Sequence, residues 1–130
     1  MIGIVIVAHG GLAREYLSAV EHVLGTQANI RAVSIAAQED RAAKSVEIEA
    51  MADAVDAGDG VIIVTDMFGG SPSNLSVPAS GKPNRKIMYG ANLPMLIKLV
   101  KSRHLPVPEA VDTALRAGRK YLDCFDAFGN

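Results

Sequence analysis

A chain of 130 residues, 49% of them apolar and 21% charged, fits one globular domain spanning residues 1–130 with a sizeable core. The net charge of −1, the few aromatic residues and the lack of a basic block argue against a nucleic-acid surface. No apolar run approaches the roughly 20 residues that span a bilayer, and the N-terminal stretch lacks the features of a signal peptide. The single cysteine, Cys124, cannot form an internal disulfide, so we expect a cytoplasmic protein.

The chain begins with a predicted strand that ends on a histidine. The apolar run 2–8 leads into His9, and Gly10 and Gly11 then precede a helical pattern. This order is typical of a buried strand that delivers one imidazole onto a glycine turn at the start of a helix. His9 is therefore a candidate functional residue, with a purely structural strand-end histidine as the alternative.

A helix, a strand and a second helix follow. Apolar residues at helical spacing predict the first helix over 12–24, ended by Gly25. The second strand is predicted over 30–36, and the second helix begins at the acidic turn 38–40 and ends before the glycine turn 58–60. The apolar face of that helix is predicted to consist of Val46, Ile48, Met51, Ala52 and Val55.

The third predicted strand also ends on a polar residue and a glycine turn. It covers 61–65 and is followed by Asp66, and the glycine pair 69–70 comes before Ser71. The proline after Ser71 favours the first turn of a helix, which puts Ser71 at the expected N-cap. We expect this short helix to reach about Ala79.

The remainder of the chain repeats the pattern of strand, turn and helix. A fourth strand is predicted over 86–89, and a turn in which Asn92 is the cap residue leads into a fourth helix. The segment 104–108 interrupts that helix, and a last helix is predicted over 109–125. Its inward residues are expected to be Val111, Leu115 and Leu122, with Cys124 in the core or an interface.

Strands that alternate with helices through short glycine turns indicate an α/β fold of three layers, with helices on both faces of a mostly parallel sheet. In such sheets ligands bind beyond the carboxyl ends of the strands, where the strand order reverses. In the common order 2-1-3-4 the first and third strands are neighbours. His9 and Asp66 can then face one another across this switch point.

These residues suit phosphoryl transfer. A carboxylate beside an imidazole fixes its tautomer and leaves a lone pair on the other nitrogen, as a nucleophilic histidine requires. Backbone N–H groups of the turns, with Gly10 and Gly70 as candidates, favour an anion, and Ser71 can cap its helix or donate to a phosphate oxygen. Neither turn contains Lys or Arg, so backbone amides are expected to hold the anion. No cofactor and no metal are predicted, since no second His or Cys joins His9 at ligand spacing.

Three segments carry a recognisable family pattern: Ala8-His9-Gly10, 66–74 and 90–96. In order and spacing they resemble the enzyme IIA component of the mannose (mannose/fructose/sorbose) family of the bacterial phosphoenolpyruvate-dependent sugar phosphotransferase system (PTS). The resemblance implies that His9 accepts a phosphoryl group from the carrier HPr and passes it to a histidine of a IIB component.

The same resemblance assigns roles to further residues and to the assembly. It implies that Asp66 orients His9 and that Ser71 contacts the phosphoryl group. It also implies a homodimer in which a strand of the C-terminal half is exchanged, without direct membrane insertion. Such a protein belongs in the cytoplasm, where it can meet the membrane through a permease complex.

One departure from the family pattern concerns the partner surface. Relatives often have tryptophan in the turn after the aspartate, whereas this chain has Met67 and Phe68, which we expect to be exposed and to face a partner. Asp66 as a helix cap and the glycines as plain tight turns are the structural alternatives. The alternative function is a regulatory phospho-switch without a dedicated sugar permease, signalling through the phosphorylation state of His9.

Overall fold

The computed structural model describes residues 1–129 and contains one four-stranded sheet. Every strand pair is parallel, and the order is β2-β1-β3-β4. The predicted α/β class and the predicted strand order are both confirmed. The strands are β1 (Gly3–His9), β2 (Ile30–Ile35), β3 (Val61–Thr65) and β4 (Arg85–Met88).

Helices cover both faces of this sheet. The first, fourth and fifth helices pack on one face, and the second and third pack on the other. Among residues 1–129, no helix has the length and apolar character needed to cross a membrane. The helices are α1 (Leu12–Leu24), α2 (Arg41–Val55), α3 (Ser71–Ser76), α4 (Leu93–Lys101) and α5 (Val107–Lys120), with a short 3-10 helix at Pro78–Gly81 after α3.

Strand β1 is the centre of the core. It lies between β2 and β3 and is buried on both faces, which explains why its sequence is continuously apolar and does not alternate. Ile4 and Ile6 point to the layer of α1, α4 and α5, whereas Val5 and Val7 point to the layer of α2 and α3. His9 is the last residue of this strand, so the tightly packed core fixes its backbone.

Helix α2 begins as predicted but buries a narrower face. The Asp40 side chain caps it by accepting a hydrogen bond from the Ala43 N–H at 3.1 Å. Val46, predicted to face inward, is 67% exposed. The buried residues follow helical spacing from Ile48, and Val46 lies two positions before it, on the opposite side of the helix. The predicted inward position of Val46 is therefore wrong.

The last helix begins and ends earlier than predicted. It starts at Val107, because a proline in the first turn of a helix needs no N–H and does not break it. It ends at Lys120, and Leu122, predicted to be inward, is 72% exposed. Cys124 is also exposed, so its predicted place in the core is wrong, while its place in an interface stays a prediction.

The packing of α5 on α4 explains this end point. A Cβ atom on Gly118 would lie 3.0 Å from Cβ of Met95, in the first turn of α4. Helix α5 has therefore reached the start of its neighbour near Gly118, and the described residues that follow it, 121–129, are exposed. The smaller boundary differences have similar local causes: Pro78 replaces the end of the predicted third helix with 3-10 geometry.

Candidate functional site

His9 and Asp66 meet at the carboxyl end of the sheet, between the adjacent strands β1 and β3. Oδ2 of Asp66 accepts hydrogen bonds from the backbone N–H of His9 at 3.0 Å and from the ring nitrogen Nδ1 at 2.7 Å. Oδ1 accepts the N–H of Met67 at 3.0 Å. A single carboxylate thus fixes the main chain and the ring of His9 together.

The charge state of Asp66 determines which nitrogen of the neutral His9 ring carries the proton. Burial pushes the pKa of Asp66 up, but hydrogen bonds from the backbone and ring of His9, with the charge of that ring, outweigh it and hold the pKa below its usual value. The ionised carboxylate can only accept, so Nδ1 carries the proton and donates. In the neutral ring Nε2 then holds the lone pair, on a side chain that is 48% exposed.

The turn between β3 and α3 brings its backbone against the His9 ring. A Cβ atom on Gly70 would lie 3.1 Å from Cε1 and 3.4 Å from Nε2 of His9. Gly69 just before it has φ of +82°, a conformation that glycine adopts without strain. The main chain of Gly70, which has no side chain, therefore lies beside Nε2.

The glycines after β1 have a different arrangement. Gly10 has φ of +56°, which turns the chain out of the strand, and its N–H donates to the carbonyl of Ile35 at 2.9 Å. The backbone donor of Gly10 is thus engaged within the protein. Gly70 is the candidate glycine that the structure brings against the His9 ring.

Ser71 makes a contact that the sequence did not predict. It is the first residue of α3, and the N-cap is Gly70, so the predicted N-cap position of Ser71 is wrong. The hydroxyl of Ser71 accepts a hydrogen bond from Nη1 of Arg41 at 3.0 Å. Sequence reasoning considered cations only within the glycine turns and missed Arg41. Its place directly after the Asp40 cap was the available signal, since α2 starts at the same edge of the sheet.

Two further residues make hydrogen bonds at the turn between β4 and α4. The Tyr16 hydroxyl donates to the carbonyl of Ala91 at 2.9 Å, and burial, together with the negative charge of Asp66, raises the pKa of Tyr16. The sequence gives no sign of this contact, because Tyr16 follows the helical spacing of the apolar residues in 12–24. Asn92 is a cap, as predicted: Oδ1 accepts the N–H of Met95 at 3.0 Å, and Nδ2 donates to the carbonyl of Gly118 at 3.2 Å.

Apolar side chains stand exposed in the turn after β3, as the sequence predicts. Met67 is 55% exposed and Phe68 is 73% exposed. The ring of Phe68 packs edge-on against Tyr89, with centroids 4.8 Å apart and planes at 81°. We call Met67, Phe68 and Tyr89 the site rim.

The site is open to solvent, since 48% of the His9 side chain is exposed. A groove between α4 and α5 is lined by none of His9, Asp66 and Ser71. Within residues 1–129, no group of three or more His, Cys, Asp or Glu side chains is placed to hold a metal ion. A neutral imidazole oriented by a carboxylate and reachable from outside is suited to accept a group from another large molecule.

Comparison with known proteins gives a consistent result. The family model EIIA-man, described as the PTS system fructose IIA component, matches residues 3–115. The mannose-specific EIIAB component of Escherichia coli (strain K12) is 30% identical over 129 residues, which is 97% of this chain. The chain spans 40% of the length of that curated relative.

Solved structures share this fold. The PTS component EIIA of Streptococcus agalactiae superposes with a TM-score of 0.82 at 29% identity, covering 92% of this chain and 94% of the other. The mannose/sorbose-specific IIA subunit of the phosphotransferase system from Enterococcus faecalis superposes with a TM-score of 0.85 at 24% identity, covering 96% and 95%. Because the identity to the Enterococcus faecalis subunit is only 24%, that comparison supports the fold alone.

Proposed function

The chain belongs to the EIIA-man family of phosphotransferase-system IIA components, and from this premise we propose that it carries a phosphoryl group on Nε2 of His9. The main support is the 2.7 Å contact between Nδ1 of His9 and Oδ2 of Asp66. This contact keeps the proton on Nδ1 and the lone pair on the half-exposed Nε2. Asp66 is the orienting residue in this proposal, and Ser71 and Gly70 are the phosphoryl-binding positions. Gly10, the third position expected from the sequence, is left out because its N–H already donates to the carbonyl of Ile35.

The proposed reaction exchanges one nitrogen–phosphorus bond for another. The lone pair on Nε2 attacks the phosphorus of the phosphohistidine of HPr, and the donor nitrogen leaves with the electron pair of the broken bond. Asp66 holds the Nδ1 proton and stabilises the positive charge that the ring gains when Nε2 binds phosphorus. A histidine of a IIB component then takes the phosphoryl group by the same exchange.

Both partners must reach the same atom in turn, and the site rim suits this sequence of contacts. Exposed aromatic and methionine side chains are enriched in protein interfaces, and methionine adapts to differing partners. Met67 and Phe68 lie in the turn that also carries Asp66. We propose the site rim as the surface on which HPr and the IIB component bind alternately, in the cytoplasm.

The proposed function is tested by labelling. Incubation of the purified protein with phosphoenolpyruvate, enzyme I and HPr should give acid-labile, base-stable phosphate, and omission of HPr should abolish it. His9→Ala should remove the label completely. His22→Ala is the matched control, because His22 is an exposed histidine on α1, and it should label like the wild type. An unlabelled wild type overturns the function, and label that persists in His9→Ala overturns the site.

A further inference from the structure

Arg41 links the segments that follow the two strands on either side of β1. It is the first residue of α2, which follows β2, and Ile35 at the end of β2 pairs with His9. Its guanidinium hydrogen-bonds the hydroxyl of Ser71, which follows β3. Because β1 lies between β2 and β3, this hydrogen bond joins the turns on either side of the strand that carries His9.

The guanidinium of Arg41 is not neutralised by the rest of the molecule. Within residues 1–129, no carboxylate lies within 4.0 Å of its nitrogens, and the side chain is exposed. Its partner is a neutral hydroxyl, which uses one of the several donors that a guanidinium offers. Three of the other arginines have structural partners: Arg85 binds Asp53 and Asp56, Arg116 binds Asp112, and Arg103 binds the carbonyls of Ile2 and Asn29.

We propose that Arg41 is a phosphoryl-binding residue, which together with Ser71 holds the phosphoryl group on His9; this inference rests on the proposed function. Arg41 supplies the fixed cation that the glycine turns lack, and its planar donors match phosphoryl oxygens. The Ser71 oxygen accepts from Arg41, so its own hydrogen is free to donate to the phosphoryl group. Arg41 thereby both contacts the anion and orients the second donor.

The proposal predicts that Arg41 stabilises the phosphorylated state. In Arg41→Gln we expect the equilibrium constant for phosphoryl transfer from phospho-HPr to fall about tenfold, the usual scale of one charge-assisted hydrogen bond at an accessible site. Arg41→Lys keeps the charge without the planar fork and should lie between Arg41→Gln and the wild type. The measurement is the fraction of labelled protein at known ratios of HPr to phospho-HPr.

A second readout separates phosphoryl binding from a structural role. A nearby cation favours the dianionic phosphoryl group, so its loss should raise the pKa of the phosphoryl group on His9 in a phosphorus NMR titration. The titration observes the folded phosphoprotein, so unfolding of a variant cannot imitate this shift. Arg116→Gln is the matched control, since it removes the same charge from an exposed position on α5.

The possible results distinguish the role proposed for Arg41 from the phosphoryl-carrier function proposed for His9. An Arg41→Gln protein with the wild-type equilibrium constant and the wild-type phosphorus titration overturns the role of Arg41. An equal loss in Arg116→Gln also overturns it, since the effect is then one of net charge. If the wild type takes up no phosphate, the proposed function itself has failed.

Discussion

Oδ2 of Asp66 accepts from both the backbone and the ring of His9, so the carboxylate sets the position and the tautomer of one side chain. The sequence predicted this pair, because both residues directly follow buried apolar runs and the order 2-1-3-4 makes those strands neighbours. Arg41 could not be predicted in the same way. Its partner is 30 residues distant, and only the packed structure brings the two together.

Asp66→Asn tests the orienting role. Asparagine has nearly the same size but no charge, and its amide does not specify a proton on Nδ1. We expect phosphorylation by phospho-HPr to slow by about tenfold or more, while circular dichroism stays that of the folded wild type. Rapid-quench labelling measures the rate, and a wild-type rate in this variant would contradict the role of Asp66.

The lowered pKa of Asp66 also predicts how stability depends on pH. Because the folded-state pKa lies below the unfolded value of about 4, ionised Asp66 stabilises the folded state at higher pH. That stabilisation is lost as pH falls through the folded-state pKa. The difference in free energy of unfolding between the wild type and Asp66→Asn should therefore shrink as pH falls below about 4, as measured by urea denaturation. A difference that grows in acid would contradict the assigned shift.

Among the elements, the turn between β3 and α3 has the strictest requirement for glycine beside the site. Gly70 has φ of −83°, which alanine can adopt, yet an added Cβ would press on the His9 ring at 3.1 Å. We expect Gly70→Ala to lower the transfer rate by about tenfold or more through a displaced ring, with a change in stability below about 1 kcal/mol. Labelling rates and thermal unfolding together measure the two effects.

Gly11→Ala is the control for this turn. Gly11 has φ of −87°, and an added Cβ there meets no atom within 4 Å. Both variants add one methyl group to a turn of the site, but only the methyl group at Gly70 presses on His9. Only Gly70→Ala should therefore lose activity. Equal transfer rates in the two variants would mean that the close approach of Gly70 to His9 does not affect phosphoryl transfer.

Boundaries of elements were harder to predict than the elements themselves. Helical periodicity shows which residues could share a face, but not where the neighbouring surface ends. Leu122 continues the apolar pattern of α5, yet α5 meets the start of α4 near Gly118 and stops at Lys120. Val46 in α2 is a second example, because it belongs to the predicted apolar face of that helix but not to its buried residues.

At the scale of the whole molecule, the segment after α5 leaves apolar surface uncovered. Leu122 is 72% exposed and Phe125 is 85% exposed, and β4 forms an edge of the sheet with no strand beyond it among the described residues. Exposed apolar patches and open strand edges are common features of interfaces. We propose that the protein is a homodimer of domains that each span residues 1–130, and that the exchanged part is the segment 121–129, which is not a strand in this structure.

The proposed dimer predicts that the molecular mass in solution differs between the wild type and a variant of the exchanged segment. The wild type should sediment as a dimer, and Phe125→Ser combined with Phe128→Ser should shift it toward monomer by removing exposed apolar side chains. Val46→Ser, which changes a 67% exposed apolar residue on α2, should leave the dimer intact. Sedimentation equilibrium measures all three proteins, and a monomeric wild type would refute the exchanged segment.

The edge-on contact between Phe68 and Tyr89 makes the protein its own optical reporter. The chain has no tryptophan and three tyrosines, so tyrosine dominates its near-ultraviolet spectrum. Tyr89 lies in the site rim against Phe68, and burial, together with the charge of Asp66, raises the pKa of Tyr16. Two of the three chromophores thus contact or sense residues of the turn after β3, and we expect absorbance or circular dichroism in this band to follow changes there without an attached dye.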